Sequence, residues 1–135
     1  MAAEITRAQR NGSSLTVLLL DLDDFKQIND QHGHEAGDSA LKMVAGRLTT
    51  ASRGSDLAVR LGGDEFLVLL PECHPGQVTQ VLGRLAPLVL NIGDEKISLE
   101  FSAGWAEYRS GETAQYLLKR ADKALYAKKR LGRTK

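Results

Sequence analysis

Cysteine, aromatic residues and net charge are all scarce in this sequence, and each shortage excludes a class of protein. Cys73 is the only cysteine among the 135 residues, so no disulfide can form within the chain and we expect a reducing compartment, the cytoplasm. Aromatic residues make up 5% of the chain, and the formal net charge is +1. A nucleic-acid-binding domain combines a broad basic surface with aromatic stacking platforms, so we expect no nucleic-acid partner.

Long apolar runs are also missing. The longest largely apolar stretch, Leu15 to Leu20, is far shorter than the roughly 20 residues that a membrane-spanning helix needs. The N-terminal segment MAAEITRAQRNG contains no apolar core of a secretion signal. We therefore expect a single domain, residues 1–135, that makes no membrane contact and in which 42% hydrophobic residues are enough to bury a core.

Apolar runs bounded by glycine predict the strands. Strands are predicted at residues 15–22, 57–61, 66–70 and 97–108. The first of them, LTVLLLDL, has no polar alternation until its end, which predicts a strand covered on both faces. Gly62 and Gly63 predict a hairpin turn between the second and third strands, and Gly104 predicts a bulge in the fourth.

Helical spacing of apolar residues predicts the helices between these strands. After a partial helix in residues 1–10, helices are predicted at about residues 24–30, 38–52, 78–89 and 117–125. Asp24 would cap the first of these four, and HGHEAG at residues 32–37 would separate it from the second. Pro87 would end or kink the third. This order of elements predicts an α+β sheet with helices packed on it.

Acidic residues lie where the predicted hairpin meets the core. Asp64 and Glu65 follow the glycine turn, and Asp21 ends the first strand. If the strand and the hairpin are neighbours, Asp21 and Asp64 converge, and crowded carboxylates repel one another unless a cation such as Mg²⁺ or Mn²⁺ is present. Mg²⁺ is usually held by few carboxylates together with substrate phosphates, so this site would take a nucleotide. The alternative, that these acids only cap helices and turns, is equally compatible with the spacing.

Two further polar segments have a similar double interpretation. FKQINDQHGHEAGD at residues 25–38 supplies amide and carboxylate groups that suit a guanine edge, although such residues are more often caps and turn formers. The basic segment KRADKALYAKKRLGRTK at residues 119–135 could bind phosphate oxygens, or its cations could simply complement the end of a helix.

Three segments of the chain together resemble a known family. DLDDFKQINDQHGHEAGD, RLGGDEF and ADKALYAKKRLGR are similar, in this order, to the signature segments of the GGDEF domain, the diguanylate cyclase family. The resemblance covers about residues 12–135. It implies a central, mostly antiparallel sheet wrapped by helices, similar to the palm of nucleotidyl cyclases and polymerases, with a ferredoxin-like core. It also implies that two domains in a homodimer, each holding one GTP, form cyclic di-GMP and release two pyrophosphates.

The resemblance assigns metal and catalytic roles to the acids. It implies that Asp21 and Asp64 bind Mg²⁺ or Mn²⁺ through their carboxylates and that Leu22 adds its backbone carbonyl. Asp64 or Glu65 would help to remove the proton of the ribose 3′-hydroxyl, and we favour Asp64. Metal coordination lowers the pKa of a bound hydroxyl, so a strong separate base is unnecessary.

The resemblance also implies which residues bind the substrate. Asn29 and Asp38 are implied to bind the guanine, and His34 the ribose. Those implied to approach the phosphates through their backbone are Gly62 and Gly63. Those implied to offset phosphate charge as it moves toward the leaving pyrophosphate are Lys26, Lys129 and Arg133.

Regulation and context are further implications of the resemblance. Arg53 and Asp56 fit an RxxD motif at the family's spacing before RLGGDEF, which implies a site where cyclic di-GMP inhibits the enzyme; the alternative is a helix end followed by a turn. The chain lacks the DxLTGLxNR segment with which family members usually begin. We therefore expect a truncated piece of a larger signalling protein with an attached sensory or receiver domain.

A catalytically silent module that binds GTP or cyclic di-GMP is the competing interpretation. Silent relatives usually lose an acid or a glycine in the signature turn. Because Gly62, Gly63, Asp64 and Glu65 are all present, the enzyme is the favoured interpretation.

Overall fold

A four-stranded antiparallel sheet with helices on both faces forms the centre of the molecule. The computed structural model describes residues 10, 14–51, 57–71 and 75–133. Its strands are β1 (Leu15–Leu22), β2 (Leu57–Gly62), β3 (Glu65–Pro71), β4 (Leu88–Ile92), β5 (Glu95–Leu99) and β6 (Phe101–Glu107). Its helices are α1 (Phe25–His32), α2 (His34–Ala51), α3 (Pro75–Leu85) and α4 (Ala114–Arg133). This confirms the predicted α+β class with a mostly antiparallel sheet.

Strand β1 is the central element because it contributes to both hydrophobic cores. The main sheet has the order β2-β3-β1-β6, and every residue of β1 is buried. Leu18 and Leu20 pack in the core shared with α1, α2 and α3, whereas Val17 and Leu19 pack in the core shared with α4. The strand was predicted to be covered on both faces, and this prediction is confirmed. Such burial fixes the register, since a slip of one residue would exchange the two faces.

Gly104 was predicted to form a bulge, and this prediction is wrong. The pairing of β6 with β1 runs without interruption from Thr16↔Glu107 to Leu22↔Phe101. A β-carbon built on Gly104 would lie 2.6 Å from Cα of Leu125 and 2.7 Å from the carbonyl oxygen of Ala121. The glycine therefore serves the close approach of α4 to the sheet, and that approach brings the C-terminal part of α4 to the end of β1.

The region from residue 78 to residue 108 also differs from the prediction. Helix α3 ends at Leu85, before Pro87, so Val89 belongs to β4 although its spacing from Leu85 is helical. Residues 97–108 are not one strand, because β5 ends at Leu99 and β6 begins at Phe101. Strands β4 and β5 form a separate two-stranded sheet with Gly93 in its turn. A short apolar run cannot by itself distinguish a helix end from a strand, which explains the error.

The join between α1 and α2 is tighter than expected. Only Gly33, with a φ of 90°, interrupts the helices, and His34 to Gly37 already form the first turn of α2. Asp24 precedes α1 in a left-handed conformation with a φ of 58°, and its side chain makes no capping hydrogen bond. Its predicted role as a side-chain cap is therefore wrong. Within the described ranges, no helix combines the length and the apolar composition that crossing a bilayer requires.

Candidate active site

The ends of β1 and the β2–β3 hairpin bring two acidic residues together. Strand β1 runs antiparallel to β3, so that Asp21 lies opposite Glu65. The backbone N–H of Leu22 donates a hydrogen bond to the carbonyl oxygen of Asp64 at 3.3 Å. Asp21 and Asp64 therefore converge at one end of the sheet, as the spacing suggested they would.

The Asp21 carboxylate is buried without full hydrogen bonding. Asp21 is 6% exposed; Lys129 Nζ donates to its Oδ2, and its Oδ1 has no partner among the described residues. Burial and the neighbouring Asp64 carboxylate raise the pKa of Asp21 to about 6, although the Lys129 ammonium opposes this shift. A buried carboxylate oxygen with no partner is costly, so a binding role is the usual reason to retain one.

Lys129 reaches this carboxylate from α4. Burial alone would lower the pKa of the Lys129 ammonium, but its hydrogen bond to Asp21 and the nearby charges of Asp64 and Asp23 outweigh that effect and raise it. The ammonium is therefore a fixed positive charge at the site. The position of Lys129 depends on the close approach of α4 to the sheet. That approach occurs where Leu125, about one helical turn before Lys129, lies against Gly104.

The donor atoms at this end of the sheet fit a hard divalent cation. The carboxylates of Asp21 and Asp64, with the unpartnered Oδ1 of Asp21, and the backbone carbonyls beside them are the kind of oxygen ligands that Mg²⁺ and Mn²⁺ prefer. No group of three or more acidic, histidine or cysteine side chains suited to a metal occurs in the described part of the chain. Mg²⁺ is usually held by one or two carboxylates, so Asp21 and Asp64 fit an ion that takes its remaining ligands from substrate phosphates and water.

Asp23 and Ser102 form a support that sequence reasoning missed. Ser102 Oγ donates to Asp23 Oδ1 at 2.7 Å, and the backbone N–H of Asp23 donates to the carbonyl oxygen of Glu100 at 2.8 Å. These bonds fix the chain just after Asp21. Asp23 and Ser102 are 79 residues apart, so no local pattern could have revealed the contact.

The glycine turn of the hairpin is open on its outer side. Gly62 and Gly63 have φ values of 146° and 51°, which residues with a β-carbon rarely adopt. A β-carbon at either position would meet no atom within 4 Å, so space is left for a ligand to approach the backbone. Arg60 Nε and Nη2 donate to the Gly63 carbonyl at 3.1 and 2.8 Å and stabilise the turn. In the sequence, this role of Arg60 is indicated only by its place in the RLGGDEF segment.

A cavity of about 320 Å³ lies between α2 and the hairpin strands. Asp38 and Arg60 supply polar groups to its wall, and Leu41 and Phe66 supply apolar surface. Asn29 does not line this cavity, but its carboxamide lies against Gly37, the residue before Asp38. The Asn29 carboxamide therefore lies beside the residue that precedes Asp38 in the first turns of α2.

The other predicted substrate residues are less closely associated with the carboxylates. Lys26 is exposed on α1 and His34 is exposed in the first turn of α2. The backbone of Arg133 ends α4, but its side chain lies outside the described part of the structure. Arg53 and Asp56 of the predicted inhibitory site also lie outside the described residues.

The chain is similar to known proteins along its whole length. The sequence matches the family described as "Diguanylate cyclase, GGDEF domain" over residues 1–135. It is 40% identical over 134 residues to the diguanylate cyclase DgcP of Pseudomonas aeruginosa, an alignment that covers 96% of this chain and 20% of DgcP. The chain thus spans about a fifth of that relative.

Solved structures show the same fold. The diguanylate cyclase SiaD from Pseudomonas aeruginosa, in complex with its activator SiaC, has a TM-score of 0.91 at 40% identity, covering 96% of this chain and 52% of that one. The GGDEF domain of DgcB from Caulobacter crescentus, in complex with c-di-GMP, has a TM-score of 0.89 at 30% identity, covering 97% of this chain and 81% of that one.

Proposed function

The chain belongs to the GGDEF-domain family of diguanylate cyclases, and we propose on that basis that it condenses two molecules of GTP into cyclic di-GMP with release of two pyrophosphates. The observation that carries the proposal is the buried, unpartnered Oδ1 of Asp21 beside Asp64 and Lys129. A structural carboxylate would have its hydrogen bonds satisfied, whereas a ligand-binding carboxylate needs an oxygen left over.

The proposed metal ligands are Asp21, Asp64 and the backbone carbonyl of Leu22. Mg²⁺ or Mn²⁺, when bound there, would lower the pKa of the ribose 3′-hydroxyl and offset phosphate charge. Asp64, or Glu65 next to it, accepts the hydroxyl proton as the oxygen attacks the α-phosphorus of the other GTP. The bond from that phosphorus to the pyrophosphate oxygen breaks, and the leaving group carries the electron pair away.

The phosphates are proposed to lie over the glycine turn. The open outer side of Gly62 and Gly63 lets phosphate oxygens approach the backbone without meeting a side chain. Lys129, which already lies among the carboxylates, stabilises the charge that develops on the pyrophosphate, and Lys26 and Arg133 are assigned the same role from the resemblance.

Guanine is proposed to be recognised by Asn29 and Asp38. The Asp38 carboxylate accepts from the guanine N1–H and exocyclic amine, and the Asn29 carboxamide offers a donor and an acceptor beside it. Leu41 and Phe66 give the neighbouring cavity an apolar wall suited to the face of a base. His34, exposed near the start of α2, is assigned to the ribose.

Two copies of the domain must cooperate, because each holds one GTP and the product joins two. Association costs several kcal/mol, which an attached dimerising domain in the full-length protein would offset. We propose further that Arg53 and Asp56 bind cyclic di-GMP as an inhibitor, since an Arg fork suits its phosphates.

The experiment is an incubation of this chain with GTP and Mg²⁺ at several protein concentrations, followed by chromatographic separation of the nucleotides. We expect cyclic di-GMP at a rate that rises faster than linearly with protein concentration, and no cyclic product from ATP. GTP that binds but yields no product, both with this chain and with the chain fused to a dimerising coiled coil, would contradict the proposed enzyme and support the silent binding module.

A further inference from the structure

Gly37 of α2 faces the side chain of Asn29 on α1 so closely that any β-carbon at position 37 would displace it. A β-carbon built on Gly37 would lie 2.8 Å from Cγ and 3.3 Å from Nδ2 of Asn29, and closer still to its Oδ1. Real β-carbons essentially never lie under 3.0 Å from such an atom. The missing side chain of Gly37 is therefore the space that the Asn29 carboxamide occupies.

The backbone fixes this contact. The N–H of Gly33 donates to the carbonyl of Asn29 at 2.8 Å, and the N–H of Gly37 donates to the carbonyl of Gly33 at 3.3 Å. These two bonds connect the last turn of α1 to the first turn of α2. Gly33 is thus bonded to both Asn29 and Gly37 through the backbone, which keeps these two residues close together.

The Asn29 carboxamide lies in the space that Gly37 leaves and is not fixed there by a hydrogen bond to a described residue. Among the described residues, the hydrogen bonds of Asn29 use its backbone, and none is made by its carboxamide. Its amide donors and its carbonyl acceptor are therefore left for a ligand. Gly37 directly precedes Asp38 on α2, so the carboxamide lies against the residue next to the one that carries that carboxylate.

We propose that Gly37 is a positioning residue for base recognition: its lack of a β-carbon holds the Asn29 carboxamide beside Asp38, so residue 37 controls the preference for guanine over adenine. This inference rests on the proposed guanine site. It assigns selectivity to a residue that touches no nucleotide.

Alanine at position 37 is expected to disturb the site and spare the fold. The atoms that the new β-carbon would meet belong to the end of a side chain that can rotate away. Alanine also favours the interior of a helix over glycine. Gly37→Ala should therefore fold while displacing the carboxamide. Gly46 lies on the same helix with open space around it, so Gly46→Ala is the matched control.

The test measures binding of 3′-deoxy-GTP and 3′-deoxy-ATP, in Mg²⁺, to the full chain by calorimetry. These analogues lack the attacking hydroxyl, so no turnover interferes. We expect Gly37→Ala to weaken 3′-deoxy-GTP binding about tenfold, the loss of one good hydrogen bond, and to leave 3′-deoxy-ATP binding unchanged. Gly46→Ala should change neither. A Gly37→Ala variant with wild-type selectivity, or with both analogues weakened equally, would overturn the inference.

A double variant makes the test independent of a folding defect. In Asn29→Ala/Gly37→Ala the carboxamide that Gly37→Ala would displace is absent, so 3′-deoxy-GTP should bind as in Asn29→Ala. A double variant that binds 3′-deoxy-GTP more weakly than Asn29→Ala would show that residue 37 affects binding by another route than the Asn29 carboxamide, and would refute the inference. Wild-type protein that binds both analogues equally would refute the proposed guanine site itself, and the inference with it.

Discussion

Helix α4 supplies the cation to two ion pairs, one near each of its ends, and the two carboxylates have opposite pKa shifts. Near the start of the helix, Arg120 Nε donates to Glu112 Oε2 at 2.6 Å and Arg120 Nη2 donates to Oε1 at 2.7 Å. The backbone N–H of Arg109 adds a third bond, to Oε1, at 3.1 Å. The Arg120 hydrogen bonds outweigh burial and lower the pKa of Glu112.

The pair near the other end of α4 is incomplete. Lys129 satisfies one oxygen of Asp21, but the other has no partner among the described residues, and burial with the Asp64 charge raises the pKa of Asp21 to about 6. The fold therefore favours the ionised form of Glu112 and disfavours that of Asp21. Each carboxylate has a cationic partner, so pairing alone does not separate the two cases. Burial is the largest effect on the pKa of Asp21, whereas the Arg120 hydrogen bonds outweigh burial at Glu112. The second difference is whether every oxygen is satisfied, which is typical of a structural pair at Glu112 and agrees with the binding role proposed for Asp21.

If Asp21 stabilises the fold, it does not differ in role from Glu112. We expect Asp21→Asn to lower cyclic di-GMP formation by at least about 100-fold, since it removes a proposed metal ligand and the charge that orients Lys129. Its free energy of unfolding should change by less than about 1 kcal/mol, because the carboxylate that it removes is incompletely paired.

The measurements are initial rates and urea denaturation, with Asp30→Asn as the control because Asp30 is an exposed acid on α1. A loss of several kcal/mol in Asp21→Asn would show that the Asp21 pair is as structural as the Glu112 pair.

The Asp21 pair depends on how closely α4 approaches the sheet, which Gly104 permits. A methyl group at Gly104 would lie 2.6 Å from Cα of Leu125, an atom of the backbone that cannot rotate away. We expect Gly104→Ala to lower the free energy of unfolding by about 3 kcal/mol, in the range of severe overpacking. We also expect it to displace Lys129 from Asp21.

Urea denaturation measures the first effect, and the rate of product formation per folded molecule measures the second. Wild-type stability in Gly104→Ala would mean that α4 can move outward freely. A normal rate per folded molecule would mean that Lys129 does not need its present position.

The main sheet and the carboxylate cluster were predictable because their signals are local. The apolar run of β1, the glycine turn before Asp64 and the acid at the end of β1 each lie within a few residues, and antiparallel pairing does the rest. The split of the two helices at Gly33 was only partly predicted, since residues 34–37 have turn composition but are helical.

The misses involve partners that are distant in sequence. The sequence around Gly104 predicts a bulge, because the residue that requires a glycine there, Leu125, lies on a helix distant in sequence. Ser102 gave no signal at all, because its partner Asp23 is 79 residues away. Val89 was placed in a helix since its spacing from Leu85 is helical by coincidence. Tertiary contacts therefore decide what periodicity leaves undetermined.

The Glu112 pair should have the opposite profile to Asp21. We expect Glu112→Gln to lower the free energy of unfolding by about 2 kcal/mol, because it weakens a bidentate pair whose glutamate side chain is 7% exposed. The rate of cyclic di-GMP formation per folded molecule should remain within about twofold of wild type.

Urea denaturation and initial rates test this, with Glu100→Gln as an exposed control. Unchanged stability in Glu112→Gln would show that the Glu112–Arg120 pair does not stabilise the fold. A variant that is stable but inactive would show that Glu112 contributes to the active site.

The smallest expected effect is the pH dependence of the contribution that Glu112 makes to the free energy of unfolding. The folded protein holds the pKa of Glu112 below its ordinary value of 4.5, so the folded state binds the proton less tightly than the unfolded state does. The stabilisation is therefore present above about pH 4.5 and is lost as the pH falls through the lower, folded-state value. We expect the difference in unfolding free energy between wild type and Glu112→Gln to be constant from pH 7 to pH 5 and to shrink between pH 4.5 and pH 3. Urea denaturation of both proteins across that range measures it, and a difference that grows on acidification would show that the Arg120 bonds do not favour the ionised carboxylate.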